Sequence, residues 1–193
     1  GKEIDVIGSD LVATLILDSE GNGSGDGSRA YGISCDSGLT CNLYNLRFQY
    51  KNATSSTQYE SPLLGSLAPG NLKVRNCLLI NREGSGVLYD NDNNSNILVE
   101  NSTIIFESQE GGCYSGDPDW VNVDAQGCTL DVGSTTTCNI ESSNTMSQST
   151  WDTYIQSLPS DCEHAGTGEN PDGSTAHIGV NGGDYAWGKD FTS

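Results

Sequence analysis

The chain has 193 residues, with 26 acidic against 8 basic side chains, a formal net charge of −18. That imbalance excludes nucleic acid as a partner, because nucleic acid is met by a basic surface, and it disfavours anionic membranes. No run of apolar residues is long enough to span a bilayer, and the length favours one domain rich in the short strands and turns that Gly, Ser, Thr, Asn and Asp permit.

In chain order, the stretch from Ile4 to Leu17 is rich in Val, Ile and Leu and predicts the first strands. Asp18-Ser-Glu20-Gly-Asn22-Gly-Ser24-Gly-Asp26 then sets an oxygen-bearing side chain at every second position. Hard cations want many oxygens, so Asp18, Glu20, Asn22 and Asp26 are candidate ligands for Ca²⁺, the one cofactor the sequence suggests. The Glu that closes an EF-hand loop is replaced by Arg29, and a polar turn is the competing reading.

A six-residue phrase follows, written three times: Leu43-Tyr-Asn45-Leu-Arg-Phe48, Val74-Arg-Asn76-Cys-Leu-Leu79 and Val99-Glu-Asn101-Ser-Thr-Ile104. Alternation before each Asn means strand, and the next apolar residue comes three positions after it, as at a sharp bend between two strands. Asn tolerates the left-handed backbone region and suits such a bend. Recurrence at this spacing predicts stacked units with Asn45, Asn76 and Asn101 above one another, their amides pointing inward and bonded as a ladder. Upstream strands are expected at Tyr31–Cys35, Tyr59–Leu64 and Gly86–Asp90. A further one is expected at Trp120–Asp124, followed by a degraded phrase around Cys138–Ser142.

Seven cysteines predict an oxidising compartment. Cys35 with Cys41, Cys113 with Cys128, and Cys138 with Cys162 are the expected bridges, leaving Cys77 as a buried thiol. A metal cluster is the weaker alternative, since there is no Cys-x-x-Cys and only two His. Glycosylation sequons begin at Asn22, Asn52, Asn93 and Asn101. A ladder position at Asn101 is incompatible with a glycan, so Asn22, Asn52 and Asn93 are the expected acceptors. The chain opens at Gly1 without an initiator Met or signal peptide, as a mature secreted product or a trimmed chain would.

These phrases resemble the right-handed parallel β-helix of the pectate-lyase-like superfamily. The tail Asn170-Pro-Asp-Gly-Ser-Thr-Ala-His-Ile-Gly-Val-Asn-Gly-Gly183 is similar to a closing signature of secreted β-helix repeat proteins, departing from it at Thr175, His177 and Val180-Asn181. Cys162-Glu-His-Ala-Gly166 resembles the segment that precedes that signature. The resemblance implies an all-β chain: a parallel β-helix of about five turns over residues 1–160, closed by residues 161–193 packed on the same domain.

That fold carries lyases, hydrolases, adhesins and inert scaffolds alike. Polysaccharide-cleaving relatives work in a groove along one sheet, with clustered carboxylates or a Lys or Arg base beside Ca²⁺. Asp36, Glu60, Asp90, Asp119 and Asp124 are expected along one sheet, and Asp90 and Asp124 of that set, with Asp92 in the polar turn Asp90–Asn94, are the catalytic candidates. The basic candidates are Arg29, Arg47, Lys73, Arg75 and Arg82, none in a lyase-like motif. His164 and His177 fall in the closing segment, where packing is expected. Late aromatics such as Trp120, Trp151 and Tyr154 suit either sugar stacking or covering of an open strand edge. The leading expectation is a non-catalytic extracellular structural or adhesive module, glycosylated and self-associating or bound to extracellular glycans. A polysaccharide lyase or hydrolase on an acidic glycan, and a carbohydrate-binding module, are the alternatives.

Overall fold

The computed structural model describes residues 2–8, 13–17, 33–35, 38–50, 64–66, 70–81, 87–90, 95–106, 114–126, 130, 137–140, 162–184 and 186. The secondary structure among them is strand, with no helix. β1 (Lys2–Ile7) and β2 (Ala13–Leu17) come first, then β3 (Ile33–Cys35), β4 (Leu39–Tyr44) and β5 (Leu46–Tyr50). β6 (Leu64–Ser66), β7 (Asn71–Arg75) and β8 (Leu78–Asn81) repeat that triplet, as do β9 (Leu88–Asp90), β10 (Asn96–Glu100) and β11 (Thr103–Phe106). β12 (Tyr114–Ser115), β13 (Asp119–Val121), β14 (Val123–Gln126) and β15 (Thr137–Ile140) complete the series.

All pairings between these strands are parallel, in three sheets. The order β1-β4-β7-β10-β13 makes sheet A, β15-β14-β11-β8-β5-β2 makes sheet B, and β12-β9-β6-β3 makes sheet C. From β3 to β14 the chain therefore visits C, A and B in turn, and from β4 each strand pairs with its counterpart from the previous round; β15 then joins sheet B beside β14. This arrangement is compatible with a β-helix.

The passage from sheet A to sheet B is the phrase read in the sequence. Asn45, Asn76 and Asn101 stand between β4 and β5, β7 and β8, and β10 and β11, with φ of 53°, 50° and 46°. One left-handed residue turns the chain sharply while both flanking strands stay extended, and Asn accepts that region more readily than bulky residues. The ladder continues through the bend: the Asn45 N–H donates to the Arg75 carbonyl (3.2 Å), Asn76 to Glu100 (3.1 Å) and Asn101 to Val121 (2.9 Å).

A fourth corner lies at Asn122, with φ of 53°. Trp120–Asp124 is thus itself a phrase, with Ala125 in the last apolar position, rather than an upstream strand. The phrase expected around Cys138 is no corner: β15 runs straight past Asn139, which pairs with Ala125.

Between the sheets, inward side chains stack in columns. Leu43, Val74, Val99 and Trp120 form one in sheet A, and Phe48, Leu79, Ile104 and Ala125 form one in sheet B; all are at most 1 % exposed. Burial of each large side chain contributes roughly 1.5–3 kcal/mol, so these columns hold the rounds together. Trp120, expected at a stacking or covering position, sits in this core with its ring edge-on to Tyr114 at 5.1 Å.

Cys41 shares an inward column with Leu72 and Ile97. The expected bridge to Cys35 is accordingly not formed: both are buried thiols, and the Cys35 Sγ lies 3.4 Å from the Asn71 carbonyl. Cys77 is the buried thiol expected of it. It follows the corner on the inner side, its Sγ against the carbonyls of Arg75 (3.3 Å) and Leu43 (3.6 Å), and burial pushes its pKa up to about 12.

Candidate functional site

Two surfaces flank the Asn corners, and they differ in kind. The first is covered. Residues 162–184 form a strap that runs along the corners. The Thr167 N–H donates to Asn122 Oδ1 (2.7 Å), and Asn122 Nδ2 donates back to the Thr167 carbonyl (2.7 Å). Asn76, two rounds away, donates from Nδ2 to the carbonyls of Gly182 (2.6 Å) and Val180 (3.3 Å). Between them, the Val180 N–H donates to Thr103 Oγ1 (3.2 Å).

The strap must approach these corners closely, and two glycines allow it. At Gly183, with φ of 71°, a Cβ would run into the Asn101 amide nitrogen. At Gly179, with φ of 93°, it would lie 2.7 Å from Thr103 Oγ1. Both positions demand a residue without a side chain.

The expected ladder is therefore present as stacked corners but bonded differently. Asn122 Nδ2 donates to Asn101 Oδ1 (2.9 Å), an amide-to-amide rung, whereas Asn76 turns to the strap backbone. These amides are buried because the strap covers them, not because they point into the core. Asn101 is only 8 % exposed beneath Gly183, which leaves no room for a glycan.

The strap is folded by Asn170, itself buried. Its Oδ1 accepts the N–H groups of His177 (3.3 Å) and Gly183 (3.2 Å), and its Nδ2 donates to the Thr175 carbonyl (2.8 Å). Asp172 holds the exposed turn, accepting the Ser174 hydroxyl (2.6 Å) and N–H (2.9 Å), and these bonds lower its pKa. His177 is buried, with Nδ1 accepting the His164 N–H at 2.9 Å. In a neutral ring that bond leaves the proton on Nε2.

Cys162 is in a disulfide. With Cys35, Cys41 and Cys77 as thiols, its partner is Cys113, Cys128 or Cys138, whose side chains lie outside the described residues. Of these, Cys138 pairs in register with Asp124, the residue that Gly179 of the strap overlies.

The carboxylates do not share one sheet. Asp90 ends β9 in sheet C, Asp119 begins β13 in sheet A, and Asp124 lies on β14 in sheet B. Asp90 and Asp124 are both buried; Asp90 accepts the Ser95 hydroxyl (3.0 Å) and N–H (3.3 Å), tying β9 to the start of β10. Asp36, Glu60 and Asp92 lie outside the described residues, as do Asp18, Glu20, Asn22, Asp26, Asn52 and Asn93. Among the described residues no three His, Cys, Asp or Glu side chains are grouped to hold a metal ion, and no helix is long and apolar enough to cross a membrane.

The second surface is the outer face of sheet A, where Asn96 and Asp119 are exposed, most neighbours are half-buried and Asn42 is buried. Its outward side chains stack in columns that sequence reading missed. Thr40, Asn71 and Asn96 form one, with Asn71 Nδ2 donating to Thr40 Oγ1 (3.2 Å) and Asn96 Nδ2 to Asn71 Oδ1 (2.9 Å). Each stands five positions before a corner Asn, a signal that extending the phrase upstream reveals. Asp5, Asn42, Lys73, Leu98 and Asp119 form the next column, and Ile7, Tyr44, Arg75, Glu100 and Val121 the third. An ion pair joins Arg75 Nε to Glu100 Oε2 at 2.8 Å. Such a face can offer amides, hydroxyls and a ring at the repeat of stacked strands, about 4.8 Å.

No protein-family model, no curated protein and no solved structure matches this chain.

Proposed function

We propose that the chain is a right-handed parallel β-helix of the pectate-lyase-like kind, acting outside the cell as a non-catalytic structural or adhesive module. The observation that carries this reading is the outer face of sheet A, where Thr40, Asn71 and Asn96 make a bonded polar column, with Tyr44 two columns further along the same face. Amides and an aromatic ring at a regular repeat suit the hydroxyls and faces of sugar rings, and such contacts need no charge. The net charge of −18 favours a neutral or cationic glycan over an acidic one. The disulfide at Cys162 fits an oxidising compartment. Asn22, Asn52 and Asn93 are the proposed glycan acceptors, with Asn101 excluded by its burial.

A glycan array read with and without Ca²⁺, paired with assays for released reducing or unsaturated sugars, tests the proposal. Binding without turnover, lost on Asn71→Asp, is the expected result. Sugar release that disappears on Asp90→Ala or Asp124→Ala would replace it with the lyase or hydrolase reading.

A further inference from the structure

Sheet A ends at β1. Among the described residues β1 pairs with β4 alone, so its other edge has no strand partner among them. Ile4 and Val6 head the inward columns that continue as Cys41–Leu72 and Leu43–Val74. Their counterparts further along are sealed, yet Ile4 is 47 % and Val6 37 % exposed, and Ile7 on the outward side is 62 % exposed. Among the described residues these three are the exposed large apolar side chains. Alternating with Ile4 and Val6 along the strand, Glu3 and Asp5 point outward. Asn42 Nδ2 donates to both, to Glu3 Oε1 and Asp5 Oδ1 at 2.7 Å each, so one amide fixes two carboxylates side by side. Each keeps a second oxygen for another donor.

A second copy of the chain fits this edge poorly. If another molecule stacked on β1 by its own β13, continuing the register of sheet A, its Asp119 would stand over Asp5. If two β1 strands met antiparallel about Ile4, Glu3 of each would face Asp5 of the other. Like charges directly opposite on paired strands are destabilising, and each molecule also brings its charge of −18.

We infer that the edge of β1 is a docking site for an extended segment of a basic partner protein, one that alternates apolar residues with Lys or Arg. Its backbone extends sheet A by one strand, its apolar residues cover Ile4 and Val6, and its cations meet Glu3 and Asp5. The columns supply the apolar specificity, and the carboxylates held by Asn42 select the sign of the partner.

The test uses a fluorescent peptide alternating valine with lysine, a peptide of the same composition with the lysines grouped, and an alternating valine–glutamate peptide. Anisotropy should show binding of the first alone, weakened by salt. Glu3→Gln with Asp5→Asn, both at exposed positions, should cut its affinity roughly tenfold by removing two edge charge pairs. Hydrogen exchange should slow in residues 2–7 when the peptide is bound. The proposal is overturned if the grouped peptide binds equally, which means charge alone acts. It is also overturned if the double substitution changes nothing, if exchange in β1 is unaltered, or if sedimentation shows the chain dimerising through β1. None of these outcomes bears on whether sheet A's outer face takes a glycan.

Discussion

The strapped corner and the β1 edge distribute polarity in opposite ways. At the corner, Asn76, Asn101 and Asn122 are buried, and the bonds that make this tolerable come from strap backbone or from one another. At β1, Ile4 and Val6 stand in water although their columns run on through fully buried Leu72 and Val74. The difference teaches that burial here is decided by what lies over a residue. The alternation of a strand chooses the face, and the neighbouring round or the strap decides whether that face is dry.

One inward column offers the largest test of this contrast, because Leu72 and Ile4 occupy it at different heights. Leu72→Ala should lower stability by about 3 kcal/mol, through lost burial and the cavity left behind. Ile4→Ala should change it by less than about 0.5 kcal/mol, as at other exposed sites. Urea unfolding of the two variants checks this, and equal losses would mean β1 is covered in solution. At the corner, Asn122→Ala strands the Thr167 N–H and Asn101 Oδ1 and should cost about 3 kcal/mol. Asn122→Gly keeps the left-handed backbone accessible, so it should be about 1 kcal/mol milder than Ala. If the two variants unfold at the same urea concentration, the bend carries no strain and the amide bonds account for the whole effect.

Much of the corner was legible because it is local. Asn45, Asn76 and Asn101 each sit in a phrase whose alternation and interruption are properties of neighbouring residues, and each adopts the left-handed region as expected. Asn122 escaped because Ala125 is a small closing residue and Cys138-Asn139-Ile140 imitated the phrase. The strap was legible as a segment but not in its place. Its bonds to Asn76 and Asn122 span long stretches of chain, and no periodicity encodes which side of a stack a tail will follow. The carboxylates failed for a related reason: Asp90, Asp119 and Asp124 each lie near the start or end of a strand, and only the round count assigns them to three different sheets. Cys35 and Cys41 look bridged when read as a turn, yet Cys41 belongs to an inward column with Leu72.

Cys77 sharpens the contrast through reactivity. With a pKa of about 12, only about one thiol in ten thousand is ionised at pH 8. Iodoacetamide should therefore leave Cys77 unlabelled in the folded protein and modify it once urea opens the stack, as read by mass spectrometry. Labelling at the rate of an exposed thiol would show that the space behind the corner is wet.

The smallest effect belongs to the strap's exposed turn. Hydrogen bonds from the Ser174 hydroxyl and N–H lower the pKa of Asp172 in the folded chain. A carboxylate held below its unfolded value adds stability above that unfolded value, about 4, and loses it as pH falls through the lower folded value. The turn should therefore loosen in acid, below the ordinary carboxylate range, and not near neutrality. Because Asp172 is fully exposed, water screens the effect, and the strap should stay seated by its buried bonds to Asn76 and Asn122 while the turn gives way. A side-chain carboxyl NMR titration reads this directly: the Asp172 midpoint should lie below that of the same carboxyl in urea, and Ser174→Ala should narrow the gap without closing it, because the N–H at position 174 still donates. If Ser174→Ala instead released the Asn76 and Asn122 amides to exchange, the strap would be pinned from its turn inward, and the corner would be dry only because the tip is closed.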